Sequence, residues 1–293
     1  MTLLTANTMT GRSAIAEMLL DRSNHVVSIS EPTLEHSEIP AATEFDWPVC
    51  KQPPTLTLGA VHVWLLDLDL SKEPIDDLAY PLSPEEQQRA SRFQFARDRN
   101  RYIAGRGQLR QLLALYLKIP ATNVQFSYGP AGKPQLSKLH IASPIQFNLS
   151  HSENTALLGI TSEAEIGIDI ERIRKINDSE SVAKYSFATN EFERLMALPE
   201  IEQEAAFFRC WTRKEAFLKA RGTGITENLH SFEVDFQYEQ KARLLSIRSE
   251  LGGLADWSLK TIPIGADWCG AVAVHTPTTT LSFWRFDSLS DLT

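Results

Sequence analysis

The sequence predicts an α+β fold, on three observations. Strand-like runs are short and gather in groups between helices, without the regular βαβ alternation of a parallel sheet. The segment Glu165-Ile-Gly-Ile-Asp-Ile-Glu-Arg-Ile173 alternates strictly, as a strand does. Two long stretches, within 83–118 and over 202–220, carry helical spacing and end at proline or glycine.

Taken in order, residues 1–57 read as an extended, loosely packed leader. Pro32, Pro40, Pro48, Pro53 and Pro54 interrupt it, and little apolar periodicity runs through it. Folded structure is expected to begin with a strand over 61–70, rich in Val, Leu and Trp. Ser83-Pro-Glu-Glu86 combines an N-cap serine, proline at the first helical position and glutamate three residues after the cap, which starts a helix. Helical spacing continues, with a break near Phe95, to Lys118. Leu109, Leu112, Leu113, Tyr116 and Leu117 share a face, and Pro120 ends the helix. Strands are expected at 124–126, 145–149, 156–161 and 165–173. A short helix over 190–198 stops at Pro199, and a longer one over 202–220 stops at Gly222 and Gly224. Strands follow at 232–236, 257–264, 269–275 and 281–286. No sequence repeat is strong enough to establish an internal duplication.

Composition narrows the class. A chain of 293 residues can bury a substantial core as one large or two small domains. A net charge of −8 argues against general nucleic-acid binding but leaves room for a local basic pocket. Cys50, Cys210 and Cys269 lie far apart and form no CxxC pair, which fits a reducing compartment and argues against a disulfide framework or a structural zinc site. Glu17 and Asp21 interrupt the one apolar stretch near the N-terminus, and no uncharged run reaches membrane-spanning length, so a cytoplasmic protein is expected.

Four segments carry candidate chemistry. Along 165–173, Gly167, Asp169 and Glu171 share one face and the isoleucines the other. Carboxylates two apart on a strand have α-carbons roughly 6.5–7 Å apart and can converge on one small cation such as Mg²⁺. A solvated acidic face is the competing reading, and from this segment alone the stronger one. In Cys210-Trp-Thr-Arg-Lys-Glu-Ala-Phe-Leu-Lys219, Trp211, Glu215 and Lys219 stand four apart on one helix face, suited to a third metal oxygen and a cation. A surface Glu–Lys pair beside a core tryptophan competes. In Gln146-Phe-Asn-Leu-Ser-His-Ser152, Ser150 and His151 sit together at an expected strand end. Both can contact phosphate, but no Gly-x-Ser-x-Gly elbow supports a serine hydrolase. The run Arg89, Arg92, Arg97, Arg99, Arg101, Arg106 and Arg110 is a local positive excess suited to phosphates or to a solvated helix face. The loop around Lys133 is glycine-rich without the Walker A pattern.

In order and type these pieces resemble one family, the 4′-phosphopantetheinyl transferases of the surfactin-synthetase-activator (Sfp) type. Gly132-Lys-Pro134, Phe147-Asn-Leu-Ser-His-Ser152, Gly167-Ile-Asp-Ile-Glu171 and Trp211-Thr-Arg-Lys-Glu-Ala-Phe-Leu-Lys219 carry the resemblance, which covers about residues 61–286. It implies two similar α+β halves, 58–163 and 164–288, related by a pseudo-twofold axis, with a ligand cleft between them. The implied reaction moves the 4′-phosphopantetheine arm of coenzyme A onto a serine of an apo acyl, peptidyl or aryl carrier protein and releases adenosine 3′,5′-bisphosphate. Residue by residue, Asp169, Glu171 and Glu215 match magnesium ligands. Glu215 also matches the general base, and Lys219 the group that stabilises or protonates the departing phosphate. Lys133, Ser150 and His151 match coenzyme A contacts, and Arg101 and Arg89 phosphate-binding positions. The two-half architecture implies a monomer, while the net charge and the lack of a spanning run predict no nucleic-acid or membrane partner. An acidic enzyme that accepts acidic carriers is expected to carry a basic or apolar docking surface near the cleft. A Mg²⁺-dependent phosphohydrolase and a non-catalytic coenzyme A- or carrier-binding module are the competing functions.

Overall fold

The computed structural model describes residues 47–70, 75–140, 143–222, 229–237, 242–247 and 253–286. The expected leader over 1–46, the helix-ending Gly224 and the last positions of the second half, 287–288, lie outside the described residues. The first half runs β1 (Ala60–Asp67), α1 (Ile75–Ala79), α2 (Pro84–Ser91), α3 (Ala96–Leu117), a hairpin of β2 (Phe126–Tyr128) and β3 (Pro134–Leu136), then β4 (Ile145–Ser152) and β5 (Thr155–Ser162). The second runs β6 (Ile166–Arg172), α4 (Ser179–Ser186), α5 (Thr189–Met196), α6 (Glu200–Arg221), a hairpin of β7 (Glu233–Asp235) and β8 (Arg243–Ser246), then β9 (Ser258–Thr261) and β10 (Trp268–Val274). A last strand, β11 (Thr280–Arg285), follows.

The α+β expectation holds, and the element order repeats. In each half the first strand pairs with the last and the last with the one before it, giving β1-β5-β4 and β6-β10-β9. Each half places a 22-residue helix third in its helical run. The likeness extends to single buried contacts. Glu86 closes the α2 capping box by accepting from Ser83 N at 2.9 Å, and also takes Arg106 and Arg110 from α3. Glu191 accepts from Ala188 N at the start of α5, at 2.9 Å, and takes Lys214 of α6 at 2.7 Å. Arg110 then reaches Ala121 O and Val124 O, as Lys214 reaches Leu229 O and Phe232 O. The repeat escaped the sequence because it is carried by geometry and charge, with arginine in one half and lysine in the other.

Local signals explain the helix ends. The Ser83–Glu86 box forms as expected, with Pro84 at the first position, and the chain breaks between α2 and α3 at Phe95. α3 ends with Lys118 left-handed at φ 56°, α6 with Gly222 at φ 65°. Several expectations are corrected. Val124 caps a 3₁₀ turn, so the first short strand begins at Phe126. α1, α4, β3 and β8 were not anticipated, being too short or irregular for a periodic signal. The leader is not loose over 47–50. Val49 bridges to Arg285, and Trp47 is buried, donating its indole N–H to Pro263 O at 2.9 Å. The second half also does not keep its last strand, because β11 pairs in parallel with β1.

Three cores stack through the molecule. Leu109, Leu112 and Leu113 of α3 pack on the outer face of the first sheet with Trp64, Phe147 and Leu158. Phe207, Trp211 and Phe217 of α6 pack on the second with Ala271 and Ala273. Between the sheets lie Val61, Val63 and Leu157 against Ile166, Ile168, Ile170 and Val272. The isoleucines of β6 therefore face the first half, while Gly167, Asp169 and Glu171 face α6. No helix among the described residues is long and apolar enough to cross a membrane.

Candidate active site

β6 pairs with β10 on one side only, and its other edge meets β4 of the first half. An open edge leaves main-chain groups unpaired, and here side chains close it. Asn148 Oδ1 accepts from Ile168 N at 2.8 Å, and Ser152 Oγ accepts from Arg172 N at 3.2 Å. Lys133 Nζ, from the turn between β2 and β3, donates to Ile166 O at 2.7 Å. All three main-chain partners are even-numbered, since alternate residues of a strand direct their N–H and C=O to one edge. The same face of β4 also supplies Ser150, which donates to Asp169 Oδ1 at 2.9 Å, while Ser152 Oγ donates to Glu171 Oε2 at 2.9 Å.

α6 closes the site from the other side. A Cβ on Gly167 would stand 2.1 Å from Ala216 O and 2.2 Å from Ala220 N, so the helix backbone lies directly on the strand. That approach brings Lys219 to Asp169, with Nζ 2.6 Å from Oδ1 and 2.9 Å from Ser150 Oγ. Asp169 and Glu171 are each 2% exposed and Glu215 4%. Two competing sequence readings are thereby overturned. The acidic face of β6 is not solvated, and the Glu215–Lys219 spacing is not a surface pair. Ser150 and His151 lie, as expected, at the C-terminal end of β4, which stops at Ser152, and both are buried there.

Burial governs the electrostatics. It raises the Asp169 carboxyl above its ordinary range. Burial, then the Asp169 charge, pushes Glu171 up to about 8. Glu215 rises to about 7 through burial, with Lys219 opposing and Asp169 adding. Burial alone would depress Lys219, but the Asp169 and Glu215 charges outweigh it and hold the ammonium above its ordinary value. His151 falls to about 4 through burial, reinforced by Lys219 and Arg101. Asp169 Oδ2, Glu215 Oε1 and His151 Nε2 are buried without a hydrogen-bond partner. Among the described residues, no group of three His, Cys, Asp or Glu side chains is already drawn together to hold a metal. Unpartnered carboxylate oxygens in a negative, buried cluster nonetheless fit a hard divalent cation.

The arginine run divides. Arg106 and Arg110 are buried on Glu86 and serve the fold. Arg101 pairs with Asp69 at 2.7 Å on the His151 side of the cluster. Arg89 packs over the Tyr102 ring, 5.6 Å from its centroid, while Arg92, Arg97 and Arg99 are exposed. Sequence reasoning singled out neither Asn148 nor Ser152, although their alternation with Ser150 in one motif was the available signal.

The family profile described as "4′-phosphopantetheinyl transferase superfamily" matches residues 165–273. The one described as "4′-phosphopantetheinyl transferase, N-terminal" matches residues 71–163, so the two meet between β5 and β6. The 4′-phosphopantetheinyl transferase HetI of Nostoc sp. strain PCC 7120 is 39% identical over 237 residues, 80% of this chain and 97% of that protein. The 4′-phosphopantetheinyl transferase Sfp of Bacillus subtilis is 32% identical over 169 residues, 58% of this chain and 73% of that protein. The L-aminoadipate-semialdehyde dehydrogenase-phosphopantetheinyl transferase of Mus musculus is 30% identical over 213 residues, 67% and 68% of the two chains.

Proposed function

This chain belongs to the 4′-phosphopantetheinyl transferase superfamily, and we propose that its buried seam between β4, β6 and α6 is the transfer centre. The enzyme transfers phosphopantetheine from coenzyme A to carrier proteins. Asp169, Glu171 and Glu215 would hold Mg²⁺, whose chemistry there is to neutralise pyrophosphate charge and orient it. The observation that carries this assignment is the pair of unpartnered, buried oxygens, Asp169 Oδ2 and Glu215 Oε1, in a cluster short of positive charge.

The chain's own groups supply the remainder. Glu215, titrating near neutrality, takes the proton of the attacking carrier serine, directly or through a water. The serine oxygen forms a bond to the phosphorus that carries the pantetheine arm, and the bond to the leaving 3′,5′-bisphosphate breaks. Lys219, held charged by Asp169, stabilises or protonates that leaving group. Ser150, His151, Arg101 and, more remotely, Arg89 would contact coenzyme A, together with the turn that bears Lys133. Both walls of the cluster come from one chain, which supports a monomer as the working unit, and a net charge of −8 with no long apolar helix among the described residues supports a cytoplasmic protein acting without nucleic acid or membrane.

The deciding experiment incubates the protein with coenzyme A, Mg²⁺ and an apo carrier, then weighs the carrier. A phosphopantetheine mass gain that is lost in Asp169→Asn supports the centre. Nucleotide release without carrier modification would replace it with a phosphohydrolase, and neither product would leave a binding module.

A further inference from the structure

Gly132, at φ 78°, turns the chain so that the Lys133 side chain leaves the first half for the second. Its Nζ lies 2.6 Å from Lys219 O, 2.7 Å from Ile166 O and 3.3 Å from Ala220 O. An ammonium has three protons to donate, and each here meets a main-chain carbonyl. Two acceptors belong to the last turn of α6, where carbonyls lack the usual partner four residues on and the helix end is partially negative, Lys219 O taking only the long 3.3 Å bond from the capping Gly222 N. The third lies on the open edge of β6. A single cation from the first half thus ties the strand bearing Asp169 and Glu171 to the helix bearing Glu215 and Lys219. Its stem passes the helix end as well, with Cδ 3.8 Å from where a Cβ on Gly222 would lie. Burial brings its amine down to about 8, so the clamp is charged at neutral pH.

We propose that Lys133 is a positioning residue for the transfer step. It sets the placement of Glu215 and Lys219 against Asp169 by clamping the end of α6 to β6, and its ammonium does not hold coenzyme A. The inference rests on the transfer reading above and departs from the direct coenzyme A contact implied by the family resemblance.

The test measures kcat and KM for coenzyme A in Lys133→Met and Lys133→Arg, coenzyme A affinity by calorimetry, and amide exchange in the protein without coenzyme A. Arginine keeps the charge, but its planar fork does not converge three donors on one point. A phosphate contact would accept it, and a three-carbonyl clamp does not. Both variants are expected to lose kcat by about tenfold or more, because small misplacements of reacting groups are costly. KM and Kd for coenzyme A should stay within about twofold, and amides at the end of α6 and at Ile168 should exchange about tenfold faster. Kd or KM raised tenfold with kcat kept, wild-type kcat in Lys133→Arg, or unchanged exchange would each overturn the proposal. If Lys133→Met does not fold, Lys133→Arg carries the test alone. Exchange without coenzyme A reads the clamp independently of any reaction, so failure of the transfer reading shows separately, as a wild-type protein that modifies no carrier.

Discussion

At Glu215, burial and the neighbouring Asp169 charge outweigh the Lys219 ammonium, so the carboxyl titrates near pH 7. Glu171, with Ser152 as its hydrogen-bond donor, titrates near 8. A cation can bind only after such groups lose their protons, so Mg²⁺ uptake at pH 7 should release protons. Calorimetry in buffers of differing ionisation enthalpy should show that release, falling away by pH 9. A buffer-independent heat at pH 7 would remove these carboxylates from the metal site. Glu215→Gln removes both proposed roles of that side chain and should cut kcat by at least about 100-fold. The sequence exposed the types and spacing of these residues. It could not expose their protonation, which depends on what covers them.

Between elements, the contact that matters most is α6 on β6, and it turns on Gly167. A methyl group there meets the Ala216 carbonyl at 2.1 Å, and helix backbone cannot yield as a flexible side chain can. Gly167→Ala should cost about 3 kcal/mol of stability, read by denaturant unfolding, and should cut turnover by parting Asp169 from Lys219. An unchanged unfolding midpoint would refute the close approach. The Glu191–Lys214 pair, fully buried at 2.7 Å, anchors α5 and the chain after α6 to the same helix. Removing one partner strands a buried charge, so Lys214→Met is expected to cost about 3–5 kcal/mol, with Glu191→Gln/Lys214→Met together costing less than the sum. Helix caps and strand alternation were legible because they are local. The Lys214 partner lies 23 positions earlier in the chain, and no local pattern announces it.

For the whole molecule, the buried cluster opposes folding at neutral pH. The folded carboxyl values of Glu171 and Glu215, about 8 and 7, lie above the ordinary 4.5, so the folded chain binds more protons than the unfolded one between those values. Stability therefore falls as pH rises across that window. His62 and His151, both held near 4 by burial, act oppositely but only below 6.5, where acidification removes stability. Between pH 6.5 and 8 the metal-free Tm should fall by several degrees, roughly 2–4 °C for each kcal/mol lost. Glu171→Gln should flatten the slope, and millimolar Mg²⁺ should reverse it. A Tm that rises with pH in that window without metal would contradict the burial. Trp47 joins the core between the sheets through Phe283 and Pro263. Trp47→Ala should cost about 3–5 kcal/mol, although its proline-rich surroundings read as a loose leader.

By itself the sequence determined the α+β class, the helix ends, the two faces of β6 and the kinds of side chain that the chemistry needs. Each of these depends on neighbours along the chain, where period and capping act. The meeting of Asp169 with Lys219, the burial that moves Glu215 to neutrality and the use of Lys133 as a clamp were decided by tertiary structure. They arise where an open strand edge, a glycine-thin contact and a helix end fall together. Such contacts satisfy main-chain groups left over by secondary structure, and only the folded chain shows which groups are left over.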